Sequence, residues 1–256
     1  MATVRPFRAF RPRPEIAHRV SSPPYDVIDT AEARALADGK PESFLHVTRP
    51  EIDLPVGTDE HDDAVYEKAR ENLEAMCAEG VLRQDAEPRL YLYAQDMGGH
   101  HQVGVVGCVS VREYDEDRIK KHEKTRADKE DDRTRHIDAL SAHDEPVFLT
   151  YRADAEIDRL VAGVESSDPV YDFVTSDDVA HQLWVIDRDT SLALSRRFEA
   201  VRSADIAGLE EGERQGGVVA RVSTEGQDHS RLRHDLVVLR EPERTAVDRA
   251  RGLVAD

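Results

Sequence analysis

The stretch RLYLYAQDMGGHHQVGVVGCVSV, residues 89–111, decides the fold class. It holds two apolar runs, Arg89 to Gln95 and Gln102 to Val111, on either side of Asp96-Met97-Gly98-Gly99. Two such runs around an Asp and Gly-Gly turn signal read as a pair of strands joined in a hairpin. The connection reads as longer than the tight two-residue form.

Working outward, Pro146–Tyr151, Val170–Thr175 and Val179–Asp187 are further strand patterns, with helices predicted near Ala155–Val164 and Thr190–Phe198. Upstream, Asp59–Gly80 is the clearest helix: Val65, Ala69, Leu73, Met76 and Cys77 recur at three- and four-residue spacing, and Gly80 ends it. Asp29 or Thr30 caps a shorter helix over Ala31–Ala37, with Gly39 as its stop. Ser43–Val47 reads as a short strand. The opening is punctuated by proline, and Pro23-Pro24-Tyr25-Asp26 must be extended or turned, because each ring fixes φ and restricts the residue before it. The elements add up to an α+β fold, a mixed and mainly antiparallel sheet flanked by helices. Residues 1–206 form the core domain. Residues 207–256 are a polar, weakly defined C-terminal portion: Gly208–Arg233 reads as loop and Leu236–Leu239 as a lone strand.

Composition narrows the function classes. The chain has 256 residues and a formal charge of -18, built from 35 basic and 53 acidic residues. No apolar run approaches the roughly 18 to 20 residues of a membrane span. A surface this acidic repels phosphate backbones, which opposes nucleic-acid binding. Only 6 of the basic residues are Lys and 29 are Arg. That Arg- and Asp-rich balance fits a salt-adapted surface as well as a GC-rich codon bias. Cys77 and Cys108 read as small buried hydrophobes, since two distant thiols make neither a disulfide framework nor a zinc site. Met1–Arg13 carries four Arg and no apolar h-region, so no secretory signal is read and the cytoplasm is the expected compartment.

The segment able to carry chemistry is IKKHEKTRADKEDDRTRHIDALSAH, Ile119–His143. It has no large apolar residue between Ile119 and Ile137, so an ordinary apolar stripe cannot hold its helix. On a helix, His122, Arg126, Lys129, Arg133, His136, Leu140 and His143 fall on one face, which except for Leu140 is cationic or imidazole. Such a row in so acidic a chain needs an anionic partner, either Asp and Glu of the same protein or a phosphate-bearing ligand. Glu123, among Lys121, Lys124 and Arg126, stays ionised and can accept a proton from a hydroxyl. By spacing alone a solvated mixed-sign face outweighs a phosphate site, because Asp128, Glu130, Asp131 and Asp132 interleave with the bases. The three His are too widely spaced for a usual zinc motif, and no metal site is assigned. Tyr25 and Asp26, in the proline-rich turn, and His46 and Arg49, in FLHVTRP, are weaker ligand candidates, for which structural roles carry more weight.

Three stretches together resemble one family: RPRPEIAHRVSSPPYDVI, PESFLHVTRPEID, and GVVGCVSV running on through KKHEKT to HDEPVFLTY. The chain is identified as a member of the bacterial and archaeal domain-of-unknown-function 1015 family, over about residues 5–206. Members of that family usually carry Ile-Ala-Asp-Gly-His-His-Arg after an apolar strand. That motif is similar to one that binds nucleotide phosphates in free serine kinases of the ParB and sulfiredoxin-like group. The resemblance implies phosphoryl transfer from ATP or ADP, with Mg, to a small hydroxyl compound such as serine. Glu123 is then the base, with His122 beside it. Lys121, Lys124, Thr125, Arg126, Arg133 and His136 contact phosphate, and Tyr25, Asp26, His46 and Arg49 border the ligand. This chain departs from the pattern: Ile206-Ala207 is followed by Gly208-Leu209-Glu210, so the Asp-Gly-His-His-Arg motif is missing and catalysis is expected to be impaired. The competing expectation is a non-catalytic scaffold that docks a partner protein through residues 119–143.

Overall fold

The computed structural model describes residues 3–120, 126–201, 215–223 and 235–237. The chain opens with a short strand β1 (Val4–Arg5) and a second, β2 (Phe10–Pro12), then a single helical turn, α1 (Ala17–Val20). Helix α2 (Thr30–Ala37) starts where a capping box fixes it: the Asp29 carboxylate accepts from the Glu32 amide and the Glu32 side chain accepts from the Asp29 amide. Next come α3 (Leu45–Thr48) and the long α4 (Asp63–Ala78), capped by Asp62, and then β3 (Leu82–Gln84), which pairs with β2.

The Ser43–Val47 strand expectation is corrected: this stretch enters the helical turn α3. A short apolar run does not distinguish strand from helix, and here packing decides. Leu45 is buried with Ala33, Ala37 and Ile52, while Val47 is buried with Val20, Ala69 and Met76, so α3 bridges two small helical cores.

The sheet is built on β4 (Tyr91–Met97) and β5 (His100–Ser110), antiparallel with Tyr91 opposite Val106 and Met97 opposite His100. Only Gly98 and Gly99 intervene, at φ +61° and +79°, so the turn is the tight form and not the longer loop expected. Both positions need the left-handed region, which glycine enters at no steric cost. After β5 come α5 (Val111–Asp115), α6 (Ala127–Leu140), β6 (Val147–Arg152), α7 (Ala155–Glu165), β7 (Tyr171–Val174), β8 (Ala180–Val185) and α8 (Arg188–Ala200). Strand β8 pairs with the free side of β4, and β7 with β8, all antiparallel. Strand β9 (Gln215–Ser223) lies in the stretch expected to be loop, and runs parallel to β5 and antiparallel to β6. Part of the expected strand at Leu236–Leu239 falls in β10 (Asp235–Val237), and the rest lies outside the described residues. The architecture is therefore mixed α+β with a mainly antiparallel sheet.

One face of the sheet, with Leu92, Ala94, Val105 and Trp184, packs against Ile157 and Val161 of α7 and Leu194 and Phe198 of α8. Gly107 lets β1 close on β5: a Cβ there would stand 2.7 Å from both Leu90 Cδ2 and Val4 Cγ1. Among the described residues no helix is long and apolar enough to cross a membrane.

Candidate functional site

Helix α6 is held by its ends and by polar contacts. Ile119, before it, is fully buried in the main core, and Leu140, at its last turn, is buried in the helical core with Val47 and Met76. Within the helix, ahead of Leu140, the buried positions are Asp132 and His136, which follow one another at four-residue spacing. The helix begins at Ala127, with Arg126 as its N-cap, and ends at Ser141 in the left-handed region. The single face expected to run through His143 is thus cut short.

Asp132 is the centre of the site. It faces α4, whose Tyr66 hydroxyl donates to Oδ1 at 2.6 Å, and His61 Nδ1 lies 3.1 Å from the same oxygen. Arg133 donates to Oδ2 from Nε at 3.1 Å and Nη2 at 2.8 Å. Burial opposes the charge on Asp132, but donation from Tyr66, the Arg133 charge and the bonds from Arg133 and His61 outweigh it and hold the carboxyl below its usual range. Burial and the bond to Asp132 push the Tyr66 phenol up. The Arg133 guanidinium also lies over the Tyr25 ring, 4.0 Å from the centroid.

A second arginine arrives from the other side. Arg49, just past α3, has Nε 2.9 Å from Oε1 of the buried Glu51, and its Nη2 donates to Thr30 Oγ1 at 3.0 Å. The turn carrying Glu51 is fixed by Arg34 of α2, which donates to the carbonyls of Ile52, Glu51 and Leu54. Between these groups is a small polar hollow, about 30 Å³ of free cavity volume, lined by Tyr25, Arg49, Glu51, Lys129, Arg133 and His136 among others. That admits a water-sized group, such as one oxygen of an anion, and not a whole drug-sized ligand.

Of the sequence-predicted residues, Tyr25, Arg49, Arg133 and His136 come together here. His136 is almost fully buried, with Nε2 2.8 Å from Asp144 Oδ2, so it braces the wall. Asp26 is exposed and acts at a distance, its charge reaching Tyr25 and Glu145. Two of the sequence-predicted residues lie apart from the hollow. Arg126 points into solvent and pairs with Asp128 at 2.5 Å, because at the N-cap it lies beyond the packed part of α6. His46 sits in a separate surface hollow beside Lys40 and Asp53: its Nδ1 is 2.9 Å from Asp53 and its Nε2 3.2 Å from the Lys40 carbonyl. The His46–Asp53 bond raises the His46 pKa, against its burial. Lys121, His122, Glu123, Lys124 and Thr125 lie outside the described residues.

Sequence reasoning missed Asp132, Tyr66, His61, Glu51 and Glu145. A signal existed for Asp132, since its four-residue spacing to His136 and Leu140 marks the buried stripe. For Glu145 the adjacent Asp144 was legible, but its burial and the approach of Arg133 and Asp26 were not. Burial first, then the Asp144 charge, raises its pKa to about 8 against the pull of Arg133. Among the described residues no group of three or more His, Cys, Asp or Glu is placed to hold a metal ion.

No curated protein and no solved structure matches the chain. A match does come from the model of the family described as protein of unknown function (DUF1015), over residues 4–207, a span that contains every residue of the hollow, and the chain belongs to that family.

Proposed function

We propose that the hollow between α4, α6 and the Tyr25 turn binds a small phosphate-bearing ligand. The observation that supports this is convergence: Arg49, Lys129 and Arg133, far apart in sequence, line one small opening together with Tyr25. Their acidic partners hold the two guanidinium groups in fixed orientations, which lowers the ordering cost of receiving an anion. Lys129 lines the same opening, and among the described residues no acid stands within ion-pair distance of it. Phosphoryl transfer from ATP or ADP, with Mg, to a small hydroxyl compound such as serine is the reaction this site would serve. Glu123, in the segment leading into α6, is the proton acceptor, and the missing Asp-Gly-His-His-Arg motif makes that transfer slow beside binding.

The test is calorimetry of the full chain with ATP, ADP and pyrophosphate, repeated on Arg133→Ala and Arg49→Ala. Wild type binds at least one of the three, and each variant loses about tenfold or more, as removal of a charge-assisted contact does. Absence of heat with all three overturns the reading and leaves the scaffold alternative, which the pairing of Arg126 and Arg133 with Asp128 and Asp132 then favours. Transfer to serine is assayed alongside Glu123→Gln, and equal turnover in both removes Glu123 as the base.

A further inference from the structure

The Arg133 fork has three nitrogens, and two are committed to Asp132. The third, Nη1, is buried, makes no hydrogen bond, and lies 3.6 Å from Oε2 of Glu145. That separation is well beyond the ~2.7–2.9 Å of a charged hydrogen bond. Glu145 is crowded by its own sign. Asp144 precedes it in the chain, already engaged by His136, and Asp26 acts from the proline-rich turn. The groups facing Glu145 are thus Arg133 of α6, the neighbouring Asp144, and Asp26 and Tyr25 of the opening loop. Lining the hollow, Arg49, Lys129 and Arg133 confront Glu51, Glu60 and Asp132, while Glu145, not itself a lining residue, meets Arg133 at 3.6 Å. The lining charges balance, so an ionised Glu145 drawing on Arg133 tips the set negative against an entering anion, and a protonated Glu145 does not.

We propose that Glu145 is a proton-operated gate on the hollow: protonated, it releases Arg133 Nη1 to a phosphate-bearing ligand, and ionised, it holds Nη1 and repels that ligand. The gate rests on the ligand reading above and adds its regulation. Burial among acids keeps the Glu145 carboxyl protonated to about pH 8, so near neutrality the gate stands open. Above that, each ligand that binds draws one proton from solvent onto the Glu145 carboxylate, and the proton leaves when the ligand does.

The experiment is calorimetric titration of the full chain with sulfate, whose charge is constant across the range. Wild type and Glu145→Gln are each run at pH 7 and pH 9 in two buffers of different ionisation heat. Wild type is expected to take up close to one proton per sulfate at pH 9 and almost none at pH 7. Its affinity falls by up to ~10-fold between the two, the loss that one linked proton gives over about one unit. Glu145→Gln binds equally at both values with no uptake. Binding at pH 9 without proton uptake, or the same loss of affinity in Glu145→Gln, overturns the gate and leaves the hollow as an anion site. No sulfate heat at either pH overturns gate and hollow together. The wild-type proton count decides the matter even if Glu145→Gln folds poorly.

Discussion

Arg133 lays its guanidinium on the ring of Tyr25, with Cζ 4.0 Å from the centroid. The ring arrives from the Pro23-Pro24 turn, whose backbone the two prolines restrict, and the cation from the middle of α6. The same guanidinium holds Asp132 with two of its nitrogens. One side chain therefore joins the opening loop to α6 and to the carboxylate that α4 reads through Tyr66.

Tyr25→Leu keeps apolar bulk but removes the π face. We expect a loss of about 0.5–1 kcal/mol in urea unfolding, and a severalfold weaker response to pyrophosphate. Arg133→Lys, which keeps the charge but not the fork, should cost more, about 1–3 kcal/mol, because Asp132 loses two donors while staying buried. Equal stability of both variants and wild type would show that the stack and the fork carry nothing.

Stability at acid pH should depend on Asp132. Its folded-state pKa lies below the unfolded value, so the unfolded chain binds the extra proton. The contribution is full above about pH 4 and disappears as pH falls through the folded value. Urea midpoints measured from pH 6 down to pH 3 should fall less steeply in Asp132→Asn than in wild type. At pH 6 the variant itself should be less stable by about 1–3 kcal/mol, having lost the charged acceptor.

Glu145 works with the opposite sign. Its folded pKa, about 8, lies above the unfolded carboxylate value near 4.5, so the folded chain binds the extra proton. Its contribution is full below about pH 4.5 and declines as pH rises toward 8. Glu145→Gln removes that decline, and thermal unfolding at pH 9 should place the variant about 1–2 kcal/mol above wild type. The gain is less than the whole shift, because the side chain is 29% exposed and water screens part of the repulsion. A variant less stable than wild type at pH 9 would mean that the Arg133 contact dominates.

Gly107→Val should displace β1. Its Cβ would meet Leu90 Cδ2 and Val4 Cγ1 at 2.7 Å and the Arg5 carbonyl at 3.3 Å, with Leu90 and Val4 both buried. Overpacking of this kind costs about 1–3 kcal/mol. Hydrogen exchange at Val4 and Arg5 should accelerate, while exchange within β4 and β8 changes little.

The sequence by itself determined the elements whose signals are local. Gly98-Gly99 closes the hairpin between two apolar runs, the three- and four-residue spacing of Val65, Ala69 and Met76 makes α4, and Asp29 with Glu32 starts α2. It also determined the family, since HVTRP and KKHEKT are strings of neighbouring residues. Tertiary structure alone decided that Leu45–Thr48 is helix, that Gln215–Ser223 is strand, and that His46 and Arg126 stand away from the hollow. It alone decided the partners of Arg133 as well. Periodicity reports which face of an element is buried, whereas the charge state of a carboxylate depends on groups that approach through space. Tyr25, Tyr66 and Glu145 reach Arg133 and Asp132 from three separate stretches of chain, and no spacing rule links them.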